Sequence, residues 1–227
     1  MKTAEQKEEL NREKLDAIGK FASAVSHDLK NPLSSIKNIV YYFKNSVKLD
    51  GETPNKMLKM LSSEADRLNA MIVELLDMTR VKRLAFSEND LSVLIEEVLA
   101  QEREENIYFD AQLESVKVSV DAERFKRAIR SVIKNAKEAM ENGGRISVKT
   151  YLDAGEAAIE ISDEGKGMDE PTLEQCFDPL FSTKQAKALG MSLTVAKQVI
   201  EMSGGSIKAQ SRLGKGTDII IRLPFAI

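Results

Sequence analysis

The chain has 227 residues, of which 42% are hydrophobic and 30% charged, so it is long enough to form two globular domains with apolar cores. Its formal net charge of -3 argues against a dedicated nucleic-acid binder, which is normally basic. A single cysteine, Cys176, excludes an internal disulfide, and together with the single histidine, His27, it is too few ligands for a Cys/His zinc site. No apolar run approaches the roughly 20 residues of a membrane span, so we expect a cytoplasmic protein, either free or as the cytoplasmic part of a larger or membrane-attached one.

The first third of the sequence predicts two long helices joined by a short loop. Apolar or small residues alternate in steps of three and four in both helices, which is a heptad pattern. They are Ile18, Ala22, Val25, Leu29, Pro32, Ile36, Ile39 and Phe43 in the first helix, and Leu58, Leu61, Ala65, Leu68, Ile72, Leu75 and Thr79 in the second. Pro32 predicts a kink, whereas the Gly, Pro and Asn of residues 49–55 predict the break between the helices. Two helices cannot cover both apolar stripes, so the pattern predicts a homodimer with a dimeric four-helix bundle.

The pattern changes around residues 84–88, which predicts a helical domain at 1–84 and an α/β domain at 87–227. The predicted elements of the second domain are a helix from the cap Asp90 to about Asn106, a strand at 116–120, a helix from the cap Asp121 to Met140, strands at 146–151 and 158–162 around the turn 153–156, a helix at 190–202, and strands at 206–211 and 218–223. Residues 163–189 are predicted to be a long loop. This alternation is typical of an α/β sandwich.

His27 follows Val25 by two residues, so its side chain is predicted to point away from the apolar stripe and into solvent. Asp28 is its neighbour, and Asn31 lies one turn further along the same face. One interpretation is a surface histidine on a charged helix. The other is a nucleophile, because an exposed imidazole beside a carboxylate that accepts its proton is competent to attack. The Asn31 amide adds a polar group that can orient a water.

Polar groups in the second domain also have two interpretations each. Asp163 precedes a pair of glycines, which is either a common turn or a buried carboxylate that accepts a hydrogen bond from an exocyclic amine. Asn135 within a helix is either a solvated position or an amide ligand for a hard cation such as Mg²⁺. Lys184 follows Phe177 and Phe181. One interpretation is that the two phenylalanines anchor a surface loop, and the other is that Lys184 contacts a phosphate. The helix that begins at residues 189–191 offers backbone N–H groups to an anion, and residues 214–217 form a hairpin turn by default.

The order and spacing of these segments resemble the sensor histidine kinases of two-component systems over about residues 15–225. SHDLKNPL resembles the phosphoacceptor box of that family, SVIKNAKEAMENGG its asparagine box, DEGKGM its first glycine box, FDPLFSTK its phenylalanine box, and GKGTDIIIRLP its final turn and strand. The sub-pattern KNAKEAM with FDPLFSTK is most similar to the nitrogen-regulation and sporulation kinases.

This resemblance implies a protein-histidine kinase with a Bergerat-type ATP site that uses ATP and Mg²⁺. His27 would be phosphorylated and would pass the phosphoryl group to an aspartate of a response regulator. Asp28 would be the base of the autokinase reaction, and Asn31 would position water for phosphatase activity toward that partner. The resemblance implies nucleotide contacts at Asn135, Glu138, Ala139, Asp163, Gly165, Gly167, Met168, Lys184, Leu189, Gly190, Met191 and Thr217, with Asp163 holding adenine and Asn135 binding the metal ion.

Two departures from the family pattern support a different interpretation. Ser131 stands where the family usually has an asparagine, and Ala186 and Ala188 replace two of three glycines in the ATP lid. Alanine adopts positive φ less readily than glycine, so the lid would fold differently. The alternative function is a histidine phosphotransfer protein or pseudokinase with weak or no nucleotide use. A gyrase- or chaperone-type ATPase is disfavoured, since those proteins have a glutamate base at the position of Ser131 and no phosphoacceptor helix.

Overall fold

The computed structural model describes residues 4–45, 53–80, 84–179, 181–182 and 190–226. They form two compact units that divide inside the second helix, between Leu76 and Asp77. The first unit is helical and the second contains all the strands. The domain boundary at residues 84–87 stays a prediction. Within the described ranges, no helix combines the length and the apolar character needed to cross a membrane.

Two long helices form the first unit, α1 at Ala4–Asn45 and α2 at Thr53–Arg80. Helix α1 continues through Pro32 rather than stopping there, as predicted. Proline has no N–H, so the Asp28 carbonyl, four residues earlier, lacks its usual helical partner. The predicted break at 49–55 is too long, because α2 already begins at Thr53, and Pro54 occupies its first turn, where a missing N–H is tolerated. The rest of that break lies outside the described residues.

Burial along the two helices agrees with the first predicted seam from Val25 onward, although Ala22 is exposed, and it corrects the second seam. On α1, the buried or half-buried seam residues are Val25, Leu29, Pro32, Ile36, Ile39 and Phe43. On α2, the covered stripe consists of Met57, Leu61, Glu64, Leu68 and Met71. It is offset from the predicted seam, whose residues Leu58, Ala65 and Ile72 are exposed in the single chain. Helix α2 therefore has a covered stripe and, beside it, an uncovered apolar one.

The second unit is an α/β sandwich built on a five-stranded sheet. Its elements are β1 at Ser87–Asp90, α3 at Leu91–Gln101, β2 at Ile107–Leu113, β3 at Lys117–Val120, α4 at Ala122–Ala139, β4 at Gly144–Asp153, β5 at Glu156–Asp163, α5 at Glu170–Gln175, α6 at Ser192–Met202, β6 at Ser206–Ser211 and β7 at Thr217–Pro224. The sheet order is β2-β4-β5-β7-β6, with β2 parallel to β4 and the other neighbours antiparallel. Strands β1 and β3 pair separately. The predicted fold class, helices followed by an α/β sandwich, is confirmed.

Four elements differ from the sequence-based expectation. The helix that begins after Asp90 ends at Gln101 rather than near Asn106, and residues 107–113 form the edge strand β2. Only one side of β2 pairs, and its residues are mostly half-buried or exposed, so its sequence carries a weak strand signal. Strand β1 has four residues, and the short helix α5 lies inside the stretch predicted as a loop.

Two aspartates fix the starts of the helices that pack on the sheet. Asp90 accepts a hydrogen bond from the Ser92 N–H at 3.0 Å, and Asp121 accepts one from the Arg124 N–H at 3.1 Å. Hydrogen bonds from the Ser115 and Ser92 hydroxyls hold the pKa of the Asp90 carboxyl below its usual value. Both caps were predicted, and such a cap typically contributes about 1 kcal/mol.

In the core, α4 packs on β4 and β5, α6 packs on β6, and the two helices contact each other. The largest fully buried side chains come from α3, α4, α6 with its N-cap, and the central strands: Leu91, Ile95, Phe125, Ile129, Ile133, Ile146, Ile159, Ile161, Met191, Ile200 and Ile221. Helices α4 and α6 pack together through the small residues Ala128 and Ala196. The position of α4 relative to the end of β5 is therefore set by close packing, which tolerates little adjustment.

We expect the exposed apolar stripe of α2 to be covered by a second copy of the chain. Leu58 and Ile72 are 57% and 47% exposed, and replacing both with glutamate (Leu58→Glu, Ile72→Glu) would force unpaired charges into the dimer contact. Light scattering of the full chain at micromolar concentration should show a dimer for the parent and its loss in the double variant.

The control for this experiment is Met60→Glu. Met60 is also 47% exposed, but it lies two residues from Leu58 and so on a different face of α2. This variant should remain dimeric. A parent chain that is monomeric, or a double variant that stays dimeric, would show that the stripe is not the dimer contact.

Candidate functional site

His27 lies on α1 with its side chain 74% exposed, as the sequence predicted. Its Nδ1 is 3.2 Å from Oδ1 of Asp28. An ionised carboxylate can only accept a hydrogen bond, so Nδ1 carries the hydrogen and donates it. Nε2 then keeps its lone pair and is the nitrogen available to an electrophile that arrives from solvent.

The contact between His27 and Asp28 orients the imidazole rather than stabilising the fold. Exposed charge pairs typically contribute about 0.2–1 kcal/mol, and both of these side chains reach solvent. Asn31 is half-buried one turn beyond His27. The structure therefore brings the three predicted residues of the phosphoacceptor segment together on one stretch of α1.

Among the predicted nucleotide contacts, Asp163 is the last residue of β5, and backbone N–H groups hold its carboxylate in place. Its Oδ1 accepts a hydrogen bond from the Gly165 N–H at 2.8 Å, and the Thr217 N–H also donates to the carboxylate. Burial raises the pKa of the Asp163 carboxyl, the two backbone hydrogen bonds oppose that rise, and the nearby charge of Asp218 adds to it. A half-buried carboxylate binds a hydrogen-bond donor more strongly than an exposed one does, because it is partly shielded from water.

Backbone hydrogen bonds hold the loop after Asp163 between α4 and the β6–β7 turn. The Lys166 N–H donates to the Ala139 carbonyl at 3.1 Å, and the Gly214 N–H donates to the Lys166 carbonyl at 2.7 Å. The Met168 N–H donates to Oγ of Ser211 at 2.9 Å. The loop is therefore tied to the last turn of α4 on one side and to the final hairpin on the other.

Glycines allow this close approach of backbone segments. A Cβ on Gly165 would lie 2.7 Å from both the Ala139 Cβ and the Asp163 Oδ1. A Cβ on Gly216, whose φ is +85°, would overlap the Asp163 carbonyl oxygen. Gly167 is buried in the same loop. Gly165 and Gly216 thus have a packing role around Asp163, whereas a Cβ on Gly167 would overlap the Arg212 carbonyl oxygen.

The C-terminal end of α4 carries three residues of the predicted nucleotide site: Asn135, Glu138 and Ala139. Asn135 is half-buried one turn before Ala139, and Glu138 is exposed. No group of three or more His, Cys, Asp or Glu side chains suited to a metal ion occurs in the part of the chain that the structure describes. Asn135 nevertheless fits Mg²⁺, which usually takes few protein ligands and completes its shell with phosphate oxygens and water.

The start of α6 presents backbone rather than side chains. Met191 is its N-cap residue, has no side-chain oxygen for capping, and is fully buried, so its thioether belongs to the core. Gly190 before it adopts a positive φ of 67°. The first N–H groups of a helix attract anions, so this end of α6 suits phosphate. Lys184 and Leu189 lie outside the described residues, as do Ala186 and Ala188 of the lid.

Phe177 anchors the segment that follows α5, in agreement with one of its two interpretations. Its ring packs against the core, and Nζ of Lys197 lies 5.7 Å from the ring centroid. Oγ1 of Thr194 donates to the Phe177 carbonyl at 3.1 Å. The segment is therefore fixed to α6.

The sequence analysis missed Ser211, which contacts both the glycine loop and the final hairpin. Ser211 pairs in register with Thr217 across β6 and β7. The predicted hairpin ended its first strand at Ser211 and began its second at Asp218, so the pairing of Ser211 with Thr217 was not predicted.

Two known protein families match the chain, one over the segment that contains His27 and one over the segment that contains Asp163. Residues 17–84 match the His Kinase A (phospho-acceptor) domain, and this segment contains His27, Asp28 and Asn31. Residues 120–227 match the histidine kinase-, DNA gyrase B- and HSP90-like ATPase family, and this segment contains Asn135, Asp163 and their neighbours.

Individual relatives carry both segments. The chain is 35% identical to the sensor histidine kinase ZraS of Klebsiella oxytoca over 94% of its own length and 47% of that protein. It is 27% identical to sporulation kinase D of Bacillus subtilis over 96% of its own length and 44% of that protein. The chain thus spans about half the length of the curated relatives it matches.

Solved structures give the same result. The structure of the histidine kinase ThkA in complex with the response regulator protein TrrA matches with a TM-score of 0.79 and 26% identity, over 97% of this chain and 66% of that one. The Acinetobacter baumannii histidine kinase AdeS matches with a TM-score of 0.73 and 20% identity, over 88% of this chain and 98% of that one, and supports the fold alone. The family predicted from the motifs is confirmed: the chain belongs to the sensor histidine kinases, with a phosphoacceptor segment followed by an ATPase segment.

Proposed function

We propose that this chain is the kinase core of a two-component sensor, which phosphorylates His27 from ATP and passes the phosphoryl group to an aspartate of a response regulator. The observation that carries the proposal is the presence in one chain of an exposed imidazole oriented by a carboxylate and of a half-buried carboxylate at a strand end. The first suits a nucleophile, and the second suits recognition of an exocyclic amine.

At the nucleotide site, Asp163 accepts a hydrogen bond from the adenine amine. Asn135 would hold Mg²⁺, which supplies positive charge to the phosphate oxygens when bound. The N–H groups at the start of α6 and the ammonium group of Lys184 would contact the phosphates. Glu138, Ala139, Gly165, Gly167, Met168 and Thr217 line or support the same site.

At the phosphoacceptor site, Nε2 of His27 attacks the γ-phosphorus of ATP. The new P–N bond forms as the bond from phosphorus to the leaving oxygen breaks, which releases ADP. The Nδ1 hydrogen of His27 moves toward Asp28, which neutralises the developing positive charge on the imidazole. Positioning and charge neutralisation dominate in phosphoryl transfer, so the geometry of this pair matters more than its contribution to stability.

We further propose that the chain is a homodimer, that its partner is a response regulator receiver domain rather than nucleic acid, and that it acts in the cytoplasm. The dimer is supported by the phosphoacceptor match and by the uncovered stripe of α2. The partner is supported by the likeness to ThkA, which was solved with a response regulator. The alternative of a phosphotransfer protein or pseudokinase gains no support from the comparisons.

Labelling with γ-labelled ATP and Mg²⁺ tests the proposed function. The parent should acquire an acid-labile, base-stable phosphoryl adduct, and His27→Gln should acquire none, because His27 is the only histidine. Asn38→Ala, a change at another exposed polar residue of α1, should label like the parent. Persistent labelling of His27→Gln would refute the assignment of the phosphoacceptor.

Asp28 and Asn31 should affect different reactions. Asp28→Asn should slow autophosphorylation by about 10²–10⁴-fold, the usual contribution of a general base. Asn31→Ala should leave autophosphorylation near the parental rate but impair dephosphorylation of the regulator, because an uncharged amide can position water but cannot take the proton. Autophosphorylation is measured with labelled ATP and Mg²⁺, and dephosphorylation is measured with one preparation of phosphorylated regulator for all variants. Parental dephosphorylation by Asn31→Ala would show that Asn31 has no such role.

ATP binding should depend on pH through Asp163. At neutral pH, Asp163→Ala should bind ATP roughly tenfold or more weakly, since a hydrogen bond to a charged group is worth about 1.5–3 kcal/mol. Protonation removes the negative charge and leaves a weaker, neutral acceptor, so acidification should lower the affinity of the parent toward that of the variant. Because burial raises the pKa of Asp163, this decline should begin at a higher pH than for an exposed aspartate.

The matched control for Asp163 is Asp218→Asn. Asp218 is exposed, and its charge raises the pKa of Asp163, so its removal should preserve ATP binding and shift the decline to lower pH. Calorimetric titration at several pH values measures both effects. Equal ATP affinity of Asp163→Ala and the parent at neutral pH would contradict the adenine assignment.

A further inference from the structure

We infer that Lys137 is a positioning residue that holds the glycine loop, residues 164–168, in place through the last turn of α4 and thereby supports ATP binding. The effect on ATP rests on the proposed nucleotide site, whereas the hold on the loop does not. No motif in the sequence analysis gives Lys137 a role, although it lies within the KNAKEAM segment. The inference follows from the partners of its ammonium group.

The Lys137 ammonium group has all of its hydrogens in use. Its side chain is 9% exposed. Nζ lies 2.5 Å from the Glu102 carbonyl oxygen, 2.9 Å from Oε2 of Glu102 and 2.8 Å from Oε1 of Glu104. An ammonium group has three hydrogens to donate and no lone pair, so these three acceptors complete its bonding. Lys137 therefore acts within the protein and has no hydrogen left for a ligand.

These contacts join the end of α3 to the last turn of α4. Glu102 is the C-cap residue of α3, so its carbonyl has no partner within the helix, and the Lys137 ammonium supplies one. A positive charge at the C-terminal end of a helix also interacts favourably with the helix dipole. A second cation of α4 holds the same cap residue, because Nε of Arg130 lies 3.3 Å from Oε1 of Glu102. The end of α3 is thus fastened to α4 at two levels.

The last turn of α4 carries the contact to the glycine loop. The Met140 N–H donates to the Lys137 carbonyl at 3.0 Å, which closes a turn around Ala139. Ala139 is the last residue of α4, so its carbonyl lacks a helical partner and accepts the Lys166 N–H at 3.1 Å. Gly165 passes so close to this turn that a Cβ on it would lie 2.8 Å from the Ala139 carbonyl oxygen. A shift of the turn therefore displaces the loop.

Removal of the ammonium group should loosen this turn. In Lys137→Met, the aliphatic chain remains, but the Glu102 carbonyl and the two carboxylates lose their shared donor. The end of a helix opens more readily than its middle, so the Ala139 carbonyl should spend more time away from the Lys166 N–H. We expect the Lys166 amide to exchange its hydrogen roughly tenfold faster, the effect of about one hydrogen bond to a charged group.

Hydrogen exchange of the full chain without nucleotide, followed by NMR, measures this rate. The reference amide is that of Gly205, which donates to the Ile200 carbonyl at 3.0 Å at the end of α6 and should keep its parental rate. An unchanged rate at Lys166 overturns the inference. Equal acceleration at both amides also overturns it, because that result indicates a loss of global stability alone.

The matched control is Lys126→Met. Lys126 is 18% exposed and also joins α4 to α3, through Oε2 of Glu97 at 2.9 Å, but it lies about three turns before Lys137. This variant should leave the exchange of the Lys166 amide at the parental rate. If both variants accelerate that amide equally, contact with α3 in general holds the loop, and the specific role of Lys137 is overturned.

Calorimetric titration tests the effect on the nucleotide. Because the Gly165 N–H also holds the Asp163 carboxylate, a displaced loop should lower the ATP affinity of Lys137→Met, by at most the roughly tenfold loss of one hydrogen bond to a charged group. Lys126→Met should bind ATP like the parent. Parental affinity in Lys137→Met would overturn the support of ATP binding. If the parent itself binds no ATP, the proposed function is wrong, and the exchange rate at Lys166 alone decides whether Lys137 holds the loop.

Lys137→Met should fold, because the Gly144 N–H donates to the Asn106 carbonyl at 3.0 Å and keeps the chain after α4 in place. If it does not fold, Glu102→Gln removes one charged acceptor of Lys137 without changing the size of the side chain. This variant should also accelerate the exchange of the Lys166 amide, and a parental rate would then contradict the inference.

Discussion

The two backbone hydrogen bonds to the Asp163 carboxylate are the interaction on which the ATPase segment depends. Partial burial of a carboxylate is unfavourable unless the carboxylate is hydrogen-bonded, and the Gly165 and Thr217 N–H groups meet that need. Their approach requires Gly216 to pass against the Asp163 carbonyl and Gly165 to pass against Ala139. The strand end, the last turn of α4 and the final hairpin are thus held in one arrangement before any nucleotide binds.

The phosphoacceptor segment differs from the segment around Asp163 in its exposure to solvent. His27 is exposed, and its contact with Asp28 contributes little to folding, so α1 can present a nucleophile without a buried polar group. The Asp163 carboxylate is half-buried, whereas His27 is exposed, as the proposed function requires if ATP and a protein partner are to reach the same nitrogen. This contrast is consistent with the two proposed functions occupying separate segments of the chain.

Features that depend on local sequence were predictable, whereas those that depend on tertiary contacts were not. The caps Asp90 and Asp121, the hairpin turn at 153–156 and the exposure of His27 follow from neighbouring residues. Strand β2 forms because β4 is available to pair with it, and the covered stripe of α2 is offset because packing selects among several apolar faces. The motifs assigned Asp163 and Thr217 to one site. The hydrogen bonds of Ser211 to the glycine loop and to the final hairpin became visible only from the positions of its three partners.

Calorimetric titration of the unmodified chain with ATP and Mg²⁺ tests the central claim most directly, because a kinase core and a phosphotransfer protein differ first in whether they bind nucleotide. The account predicts saturable binding of one ATP per chain, despite Ser131 and the alanines at positions 186 and 188. Titrations that give no binding heat at any temperature tested, with the protein folded, would contradict it and would favour a phosphotransfer protein without nucleotide use.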